Sequence, residues 1–516
     1  MSRCSTIASE TTVINRSGAE RRGAIMQQQL ERADIVRRIV TPKITQRHKA
    51  KLGQFLTPSR IARFMASLFP SCSLSTCKLL DAGAGVGALS CAFIDRLSKE
   101  GFDFNAVEVT AYEIDANLSN HLKQHLEAYK GIKSRIIEGD YIELSTADDL
   151  FTSQSPSGFT HVILNPPYKK INSNSAHRQA LRRIGIETVN LYTAFVALSI
   201  TQAAPNGQIV AIIPRSFCNG PYYRSFREFL LEHTSIEHIH LFDRRDSAFS
   251  EDNVLQENII IRLVKGGKQQ NVTITQSTDD SFSDIREQVL PFNEVVMTDD
   301  AEHFIHIPDG TPDPLASLTK VRHTLNESGI SVSTGPVVDF RVREYLRKMP
   351  DIDSVPLIYP IHLNGTVTTW PLPDIKKWNA IIRNEETQRS LFPGGTYVLL
   401  RRFSSKEEKR RLHVSLLRHA DLGNPEWIGF ENHTNVFHCN KKGLPEDLAL
   451  GLYCWLHSTA LDQHLRRFSG HTQINATDLR NIRHPGSDDL IALGKIAKSS
   501  QLDQATIDQL VNQTLS

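Results

Sequence analysis

The sequence predicts an α/β protein, a doubly wound parallel sheet followed by a second domain of mixed α/β character. Three observations predict it. Between about residues 78 and 264, short apolar runs alternate with segments of helical period. Several of these runs end on glycine-rich, acidic or Pro-containing turns, where the strands of an open sheet present their ligand sites. After Gly266-Gly267 the alternation stops, and the remaining chain carries all four tryptophans, several prolines and clustered basic residues.

The expected strands are Lys78–Leu80, Ala106–Tyr112, Arg135–Ile137, His161–Leu164, Gln208–Ile213, Ile236–Phe242 and Asn258–Val264. Ile61, Phe64, Met65 and Leu68 fall at i, i+3, i+4, i+7 and mark a helix, as do Leu118, Leu122 and Leu126 at every fourth position. Phe226, Phe229, Leu230 and His233 repeat the first pattern. Only a polar loop separates the last two strands, which suits an antiparallel pair closing one sheet edge. Gln27–Lys51 reads as a basic, mostly helical lead-in, and 268–325 as polar and irregular. The expected division is a lead-in over 1–45, a first domain over 46–267 and a second over 268–516, with helical character around Leu444–Leu465.

Composition narrows the class. The chain has 516 residues, 40% hydrophobic and 22% charged, with a formal net charge of +2. That is the profile of a soluble globular protein. A nucleic-acid partner would have to be met by local basic patches. The seven cysteines include no C-x-x-C pair, which argues against zinc and disulfide frameworks and fits a reducing cytoplasm. No metal site is expected. No apolar run reaches the length of a membrane span. Met1–Arg22 is rich in Ser, Thr and Arg without the apolar stretch of a signal peptide, and order is expected only from about Met26, itself a candidate start.

Four segments carry chemistry. The first, Leu79-Leu80-Asp81-Ala82-Gly83-Ala84-Gly85-Val86-Gly87, is a glycine-rich turn from strand to helix. It is equally a packing turn or a cradle for a nucleotide-like cofactor. Asp81 discriminates among cofactors: a carboxylate there repels a pyrophosphate but suits the ammonium of S-adenosylmethionine. The second, Glu113-Ile114-Asp115, ends the next strand. Glu113 can accept from both hydroxyls of a ribose, and Asp115 reads as a helix N-cap. The third, Gly139-Asp140, offers a carboxylate to an adenine amine, although Gly-Asp is common in turns.

The fourth, Asn165-Pro166-Pro167-Tyr168, is the most specific. Two prolines fix the backbone and remove two N–H donors, leaving the Asn165 side-chain oxygen and the Pro166 carbonyl as a rigid pair of acceptors. Two acceptors on an aryl-type amine pull its nitrogen toward tetrahedral geometry and localise its lone pair for attack on a sulfonium methyl. Tyr168 supplies a stacking face for the target base. The bland alternative is a turn with an exposed aromatic.

On these residues the chain resembles the N6-adenine DNA methyltransferases of restriction–modification systems, in the gamma order with cofactor motifs first and the target-recognition domain last. The resemblance covers about Gly53 to Val264 well and the remainder loosely. It implies a Rossmann-like S-adenosylmethionine-dependent methyltransferase sheet with a C-terminal mixed α/β target-recognition domain. It places Thr57, in Gly53-Gln54-Phe55-Leu56-Thr57-Pro58, on the cofactor's carboxylate, where Thr57 also reads as an N-cap with Pro58 at N1. It places Asp81, Gly83 and Gly85 on the cofactor loop, Glu113 on the ribose, Ile114 against the cofactor adenine and Asp140 on its amine. Phe195 would cover the other adenine face, or simply be core, and Phe249 would sandwich the extruded base with Tyr168.

A DNA reader also needs groups for base edges and phosphates. Arg401-Arg402-Phe403, with the basic residues that follow, is one candidate, or a solvated charged face. Arg466-Arg467, with His471, Gln473 and Asn475, is the other, with base contact, phosphate contact and a structural turn all open. The resemblance further implies double-stranded DNA as partner, a separate cognate restriction endonuclease, a monomer, no membrane and a cytoplasmic location. Three alternatives stay open: an RNA-base or protein-glutamine methyltransferase with the same motif, a catalytically silent DNA-binding module, and a nucleotide-dependent dehydrogenase.

Overall fold

The computed structural model describes residues 29–43, 53, 55–72, 74–97, 102, 104–147, 158–243, 257–297, 300–308, 313–404, 408–468 and 472–516. The expectations for the first 28 residues lie outside this set. The chain forms two compact units, Met1–Ile307 and Pro308–Ser516.

The first unit is built on a nine-stranded sheet of order β3-β2-β1-β4-β5-β7-β6-β8-β9. Its strands are β1 (Thr76–Ala82), β2 (Ala106–Glu113), β3 (Ile132–Glu138), β4 (Phe159–Leu164), β5 (Ala203–Pro214), β6 (Thr234–Phe242), β7 (Asn258–Lys265), β8 (Asn271–Ser277) and β9 (Arg286–Pro291). β1 to β5 run parallel. β7 is antiparallel to both β5 and β6. The central strands read as continuous apolar runs because both faces are covered: Ile259, Ile260 and Ile261 are all fully buried. Their alternate side chains feed two cores, one per face.

The helices on these faces are α1 (residues 29–40), α2 (Ser59–Ser67), α3 (Ala88–Leu97), α4 (Ala116–Glu127), α5 (Tyr141–Thr146), α6 (Ala176–Arg183), α7 (Leu191–Gln202) and α8 (Arg224–His233). α4 turns Leu118, Leu122 and Leu126 inward, as their spacing requires. α7 is apolar almost all round and buried along most of its length. The loops entering α3, α5 and α6 sit at the carboxyl ends of β1, β3 and β4, so the sheet delivers those three segments to one edge.

The structure departs from the sequence reading at three points. The β6–β7 pair does not close the sheet: β8 pairs with β6 in parallel and β9 with β8 antiparallel, so the sheet continues past Gly267. β8 carries only a period-two pattern among polar residues, with Val272 and Ile274 buried between Asn, Thr and Gln, and β9 is mostly exposed and polar at its start. The break between units therefore falls at Ile307–Pro308 and not at 267–268. Pro58, not Thr57, is the N-cap of α2, without a side-chain cap of its own. The N–H of Ser59 instead donates to Asp34 Oδ1 of α1 at 3.2 Å.

The second unit holds a four-stranded sheet (Ser331–Thr334, Thr434–His438, Tyr397–Arg401, Val414–Leu417) and a five-stranded one that includes Ser354–Ile358 and Trp427–Phe430. Its helices include Glu446–Leu456, Thr459–Phe468, Ser487–Ala497 and Gln504–Leu515. The first and third cross at Gly451 and Gly494, where an added Cβ would come within 1.8 Å of a backbone oxygen of the opposite helix.

Candidate active site

The site begins where β1 ends. The N–H groups of Gly83 and Ala84 both donate to the Tyr112 carbonyl, at 3.0 and 2.8 Å, which folds the loop back over β2. The Gly85 N–H donates to Glu113 Oε2 at 2.7 Å. Gly85 has a φ of +57°, and a Cβ there would lie 2.7 Å from Leu56 Cδ2. The positive φ favours glycine at this position, and any Cβ would also require Leu56 to shift.

Asp81 is fully buried, and it is absent from the cavity lining described below. Its Oδ2 accepts from the N–H and hydroxyl of Ser90, at 3.2 and 2.6 Å, and its Oδ1 has no hydrogen-bond partner. Burial, only partly offset by the Ser90 bonds and aggravated by the charge of Glu113, pushes its carboxyl up to about 7. Asp81 thus ties the loop to α3 through Ser90.

Glu113 stands at the end of β2, 2% exposed. Its Oε1 accepts from the Asp115 N–H at 2.8 Å. Burial raises its carboxyl above the ordinary range, against the pull of these backbone donors. Asp115 caps α4 through Asn117 N and Leu118 N, at 2.9 and 3.4 Å. At the end of β3, Asp140 caps α5: its Oδ1 accepts from Ile142 N and Glu143 N, at 2.9 and 3.1 Å. Its Oδ2 lies 3.2 Å from Nε2 of His177, on α6. Burial raises the Asp140 carboxyl, but the His177 bond and the backbone donors outweigh it and hold it below the ordinary value. His177 is raised in turn, chiefly by its bond to Asp140.

At the end of β4, Asn165 is 8% exposed and held by three bonds. Its Nδ2 donates to the Phe55 carbonyl at 2.9 Å and to Thr57 Oγ1 at 3.0 Å. The Tyr168 hydroxyl, which has one hydrogen to share, lies 3.1 Å from Asn165 Oδ1 and 3.2 Å from the Ile212 carbonyl. A carbonyl can only accept, so Phe55 settles which end of the amide is nitrogen. The oxygen therefore faces away, with a lone pair beyond the one Tyr168 uses. Pro166 is buried and Pro167 half-buried. The Tyr168 N–H donates to the Gly53 carbonyl at 2.8 Å, so the Gly53–Pro58 segment and the Asn165–Tyr168 segment brace each other. The Tyr168 ring packs on Phe55 and edge-on to Tyr192, with centroids 5.4 and 6.2 Å apart.

A cavity of about 280 Å³ joins these pieces. Thr57, Gly83, Gly85, Glu113, Ile114, Asp140, Asn165, Pro167 and Phe195, all singled out in the sequence, line it. Ile114 is 49% exposed and Phe195 7%. Lys169, Lys170 and His177 also line it and were not anticipated; a histidine on a short polar helix beyond the motif carries no sequence signal. Among the described residues, no group of three or more His, Cys, Asp or Glu side chains is placed to hold a metal ion. None of the described helices is long and apolar enough to cross a membrane. Phe249 lies outside the described residues, so no second stacking aromatic is assigned there.

In the second unit the two basic segments, distant in sequence, zip together. Ser404 N donates to Thr472 O and Ile474 N to Arg402 O, at 2.9 and 2.8 Å, around a Phe403–Gln473 bridge. The Gln473 amide oxygen, oriented to suit its neighbours, accepts from Arg402 Nη2 and Nε at 2.8 and 3.1 Å. Arg402 also donates to Asn475 Oδ1 at 3.4 Å. Arg401 pairs with Glu408, and Arg466 with Asp462 at 2.8 Å. Arg467 is half-buried in the last turn of its helix. His471 lies outside the described residues.

The family model described as Eco57I restriction-modification methylase matches residues 62–249. The type II methyltransferase M.BsuBI of Bacillus subtilis is 48% identical over 500 residues, covering 95% of this chain and 99% of its own. The type II methyltransferase M.PstI of Providencia stuartii is 41% identical over 494 residues, covering 93% and 96%. Among solved structures, a nuclease-deletion mutant of the Type ISP restriction-modification enzyme LlaGI, in complex with a DNA substrate mimic, aligns with a TM-score of 0.50 at 13% identity. It covers 86% of this chain and 46% of that one, a likeness of fold alone.

Proposed function

Because the chain belongs to the type II methyltransferases of restriction–modification systems, we propose that it methylates the N6 amine of adenine at a specific site in double-stranded DNA, with S-adenosylmethionine as donor. The observation that carries this reading is the orientation of Asn165. Its amide nitrogen is tied to Phe55 and Thr57, which leaves the oxygen of this cavity-lining residue with a lone pair beyond the one Tyr168 uses, an acceptor for an amine. An adenine in a duplex cannot reach such a site without leaving the stack.

The residues fit the donor. The cavity is lined by the glycine loop, the carboxylates of Glu113 and Asp140 and the apolar Ile114 and Phe195, a set that suits a nucleoside joined to an amino acid. Thr57 would meet the carboxylate, Glu113 the ribose hydroxyls, Ile114 and Phe195 the two adenine faces, and Asp140 its amine. When bound, S-adenosylmethionine supplies an electrophilic methyl on a positively charged sulfur. The protein's part is then to present the acceptor nitrogen. Asn165 Oδ1 and the Pro166 carbonyl accept the two amine hydrogens and hold the lone pair toward the cavity. No strong base is required, because the proton becomes acidic only as the new bond forms. The Tyr168 hydroxyl, bonded to Asn165, couples the stacking face to the acceptor. In the second unit the joined 402 and 473 segments form a polar surface for duplex DNA, and cleavage is left to a separate endonuclease. The enzyme acts as a monomer.

The test is nucleoside mass spectrometry of duplex DNA incubated with purified protein and S-adenosylmethionine. The expected product is N6-methyldeoxyadenosine. N4-methyldeoxycytidine would overturn the adenine assignment, and transfer to RNA or protein in place of DNA would overturn the substrate.

A further inference from the structure

The pairing of His177 with Asp140 has a use that helix capping does not explain. Asp140 Oδ1 is spent on two backbone N–H groups of α5, so any incoming donor must use Oδ2. Oδ2 already receives His177 Nε2 at 3.2 Å, and a carboxylate oxygen has two acceptor sites. One therefore remains, beside a cavity lined by both residues. We propose that His177 is a positioning residue that holds Oδ2 of Asp140, an acceptor at neutral pH, toward an exocyclic amine on the purine of the cofactor, so that a keto group there is rejected. The inference rests on the proposed cofactor reading and extends it to a residue of α6.

The logic is that of a locked donor. His177 also lies 3.6 Å from Glu143 Oε1. The charged groups acting on it are Asp140 and Glu143 of α5, which favour its protonation, and Lys169 from the loop before α6, which opposes it. On its own helix the neighbouring Arg178 is committed to Glu187. Nε2 of the imidazolium faces both carboxylates, so this nitrogen is not free to donate to a purine oxygen. Asp140, kept ionised by the same bond, has only lone pairs to offer. An amine at that position gains a charge-assisted bond; a keto oxygen meets an acceptor.

The test is titration calorimetry of the full chain with two unreactive ligands, S-adenosylhomocysteine and its hypoxanthine analogue, S-inosylhomocysteine. The wild type should prefer the adenine ligand by about 100-fold, the sum of a gained charge-assisted bond and an avoided repulsion. His177→Ala should weaken the adenine ligand about tenfold and narrow the preference by a similar factor. His177→Gln keeps a donor without the charge. It should recover part of the affinity and lose the wild type's decline in affinity as pH rises through the raised His177 value. An unchanged preference in a folded His177→Ala protein, checked by its melting temperature, overturns the inference while leaving the cofactor reading intact. Failure of the wild type to bind S-adenosylhomocysteine at all overturns both.

Discussion

Asp81 offers a test of the packing behind the cofactor loop. Its carboxyl is fully buried, has one oxygen without a partner, and is raised from 3.8 to about 7 by burial. In the unfolded chain the group ionises near its ordinary value; in the native state it keeps its proton to about 7. Over the interval between, the native state binds more protons, so stability is full below the unfolded value and lost as pH rises through the folded one. Each unit of pH in that window removes about 1.4 kcal/mol. From pH 5 to pH 8 the loss attributable to Asp81 is therefore about 3 kcal/mol. Asp81→Asn does not titrate and exchanges a buried orphan acceptor for a buried orphan donor. Its stability relative to wild type should rise by that amount over the same range. At roughly 2–4 °C per kcal/mol for a domain of 150–250 residues, the gap between the two melting curves should change by roughly 5–10 °C. Differential scanning fluorimetry at pH 5, 6, 7 and 8 measures it. A gap that stays constant with pH would show that Asp81 is ionised in the native protein, and would refute the argument that it is sealed behind the loop.

Three further outcomes follow from the site. Thr57→Val removes the second acceptor for Asn165 Nδ2 (3.0 Å) and should lower kcat about tenfold, with Thr57→Ser restoring it; equal kcat in Val and Ser variants would contradict the bracing role. Gly85→Ala forces a Cβ 2.7 Å from Leu56 Cδ2 at a positive φ, which costs about 1–2 kcal/mol in backbone strain alone. It should lower the melting temperature and weaken S-adenosylhomocysteine binding by more than tenfold in calorimetry, and near-wild-type binding would contradict the assigned loop geometry. Arg402 is committed to Gln473 and Asn475, so Arg402→Ala should weaken cognate and non-cognate DNA by similar factors in an anisotropy titration. A loss confined to cognate DNA would make it a base reader.

Much of the first unit was legible because its signals are local. Three strands that end on Asp81, Glu113 and Asn165 announce themselves by apolar runs followed by turn chemistry, and helices such as α4 by spacing alone. What was hidden depends on distant partners. β8 and β9 carry half-polar alternation that only a neighbouring strand makes meaningful. The N-cap of α2 moved from Thr57 to Pro58 because the Thr57 hydroxyl serves Asn165, more than a hundred residues away, and Asp34 of α1 supplies the Ser59 N–H with an acceptor. Asp81 matched a cofactor motif, and its burial and its bonds to Ser90, on the helix that follows, had no local signal. His177 had no signal, since its meaning comes from Asp140 on another element. In the second unit, two basic segments that looked like independent DNA contacts prove to satisfy each other through Arg402 and Gln473.

The measurement that bears most directly on the central claim is long-read modification sequencing of DNA from cells expressing the wild-type chain, beside cells expressing Asn165→Ala. The account expects N6-methyladenine at one recurring sequence in the first and none in the second, while the purified variant still binds S-adenosylhomocysteine. Undiminished methylation in the variant would contradict the role of Asn165, and no adenine modification from a folded wild-type protein that binds the cofactor product would contradict the proposed function.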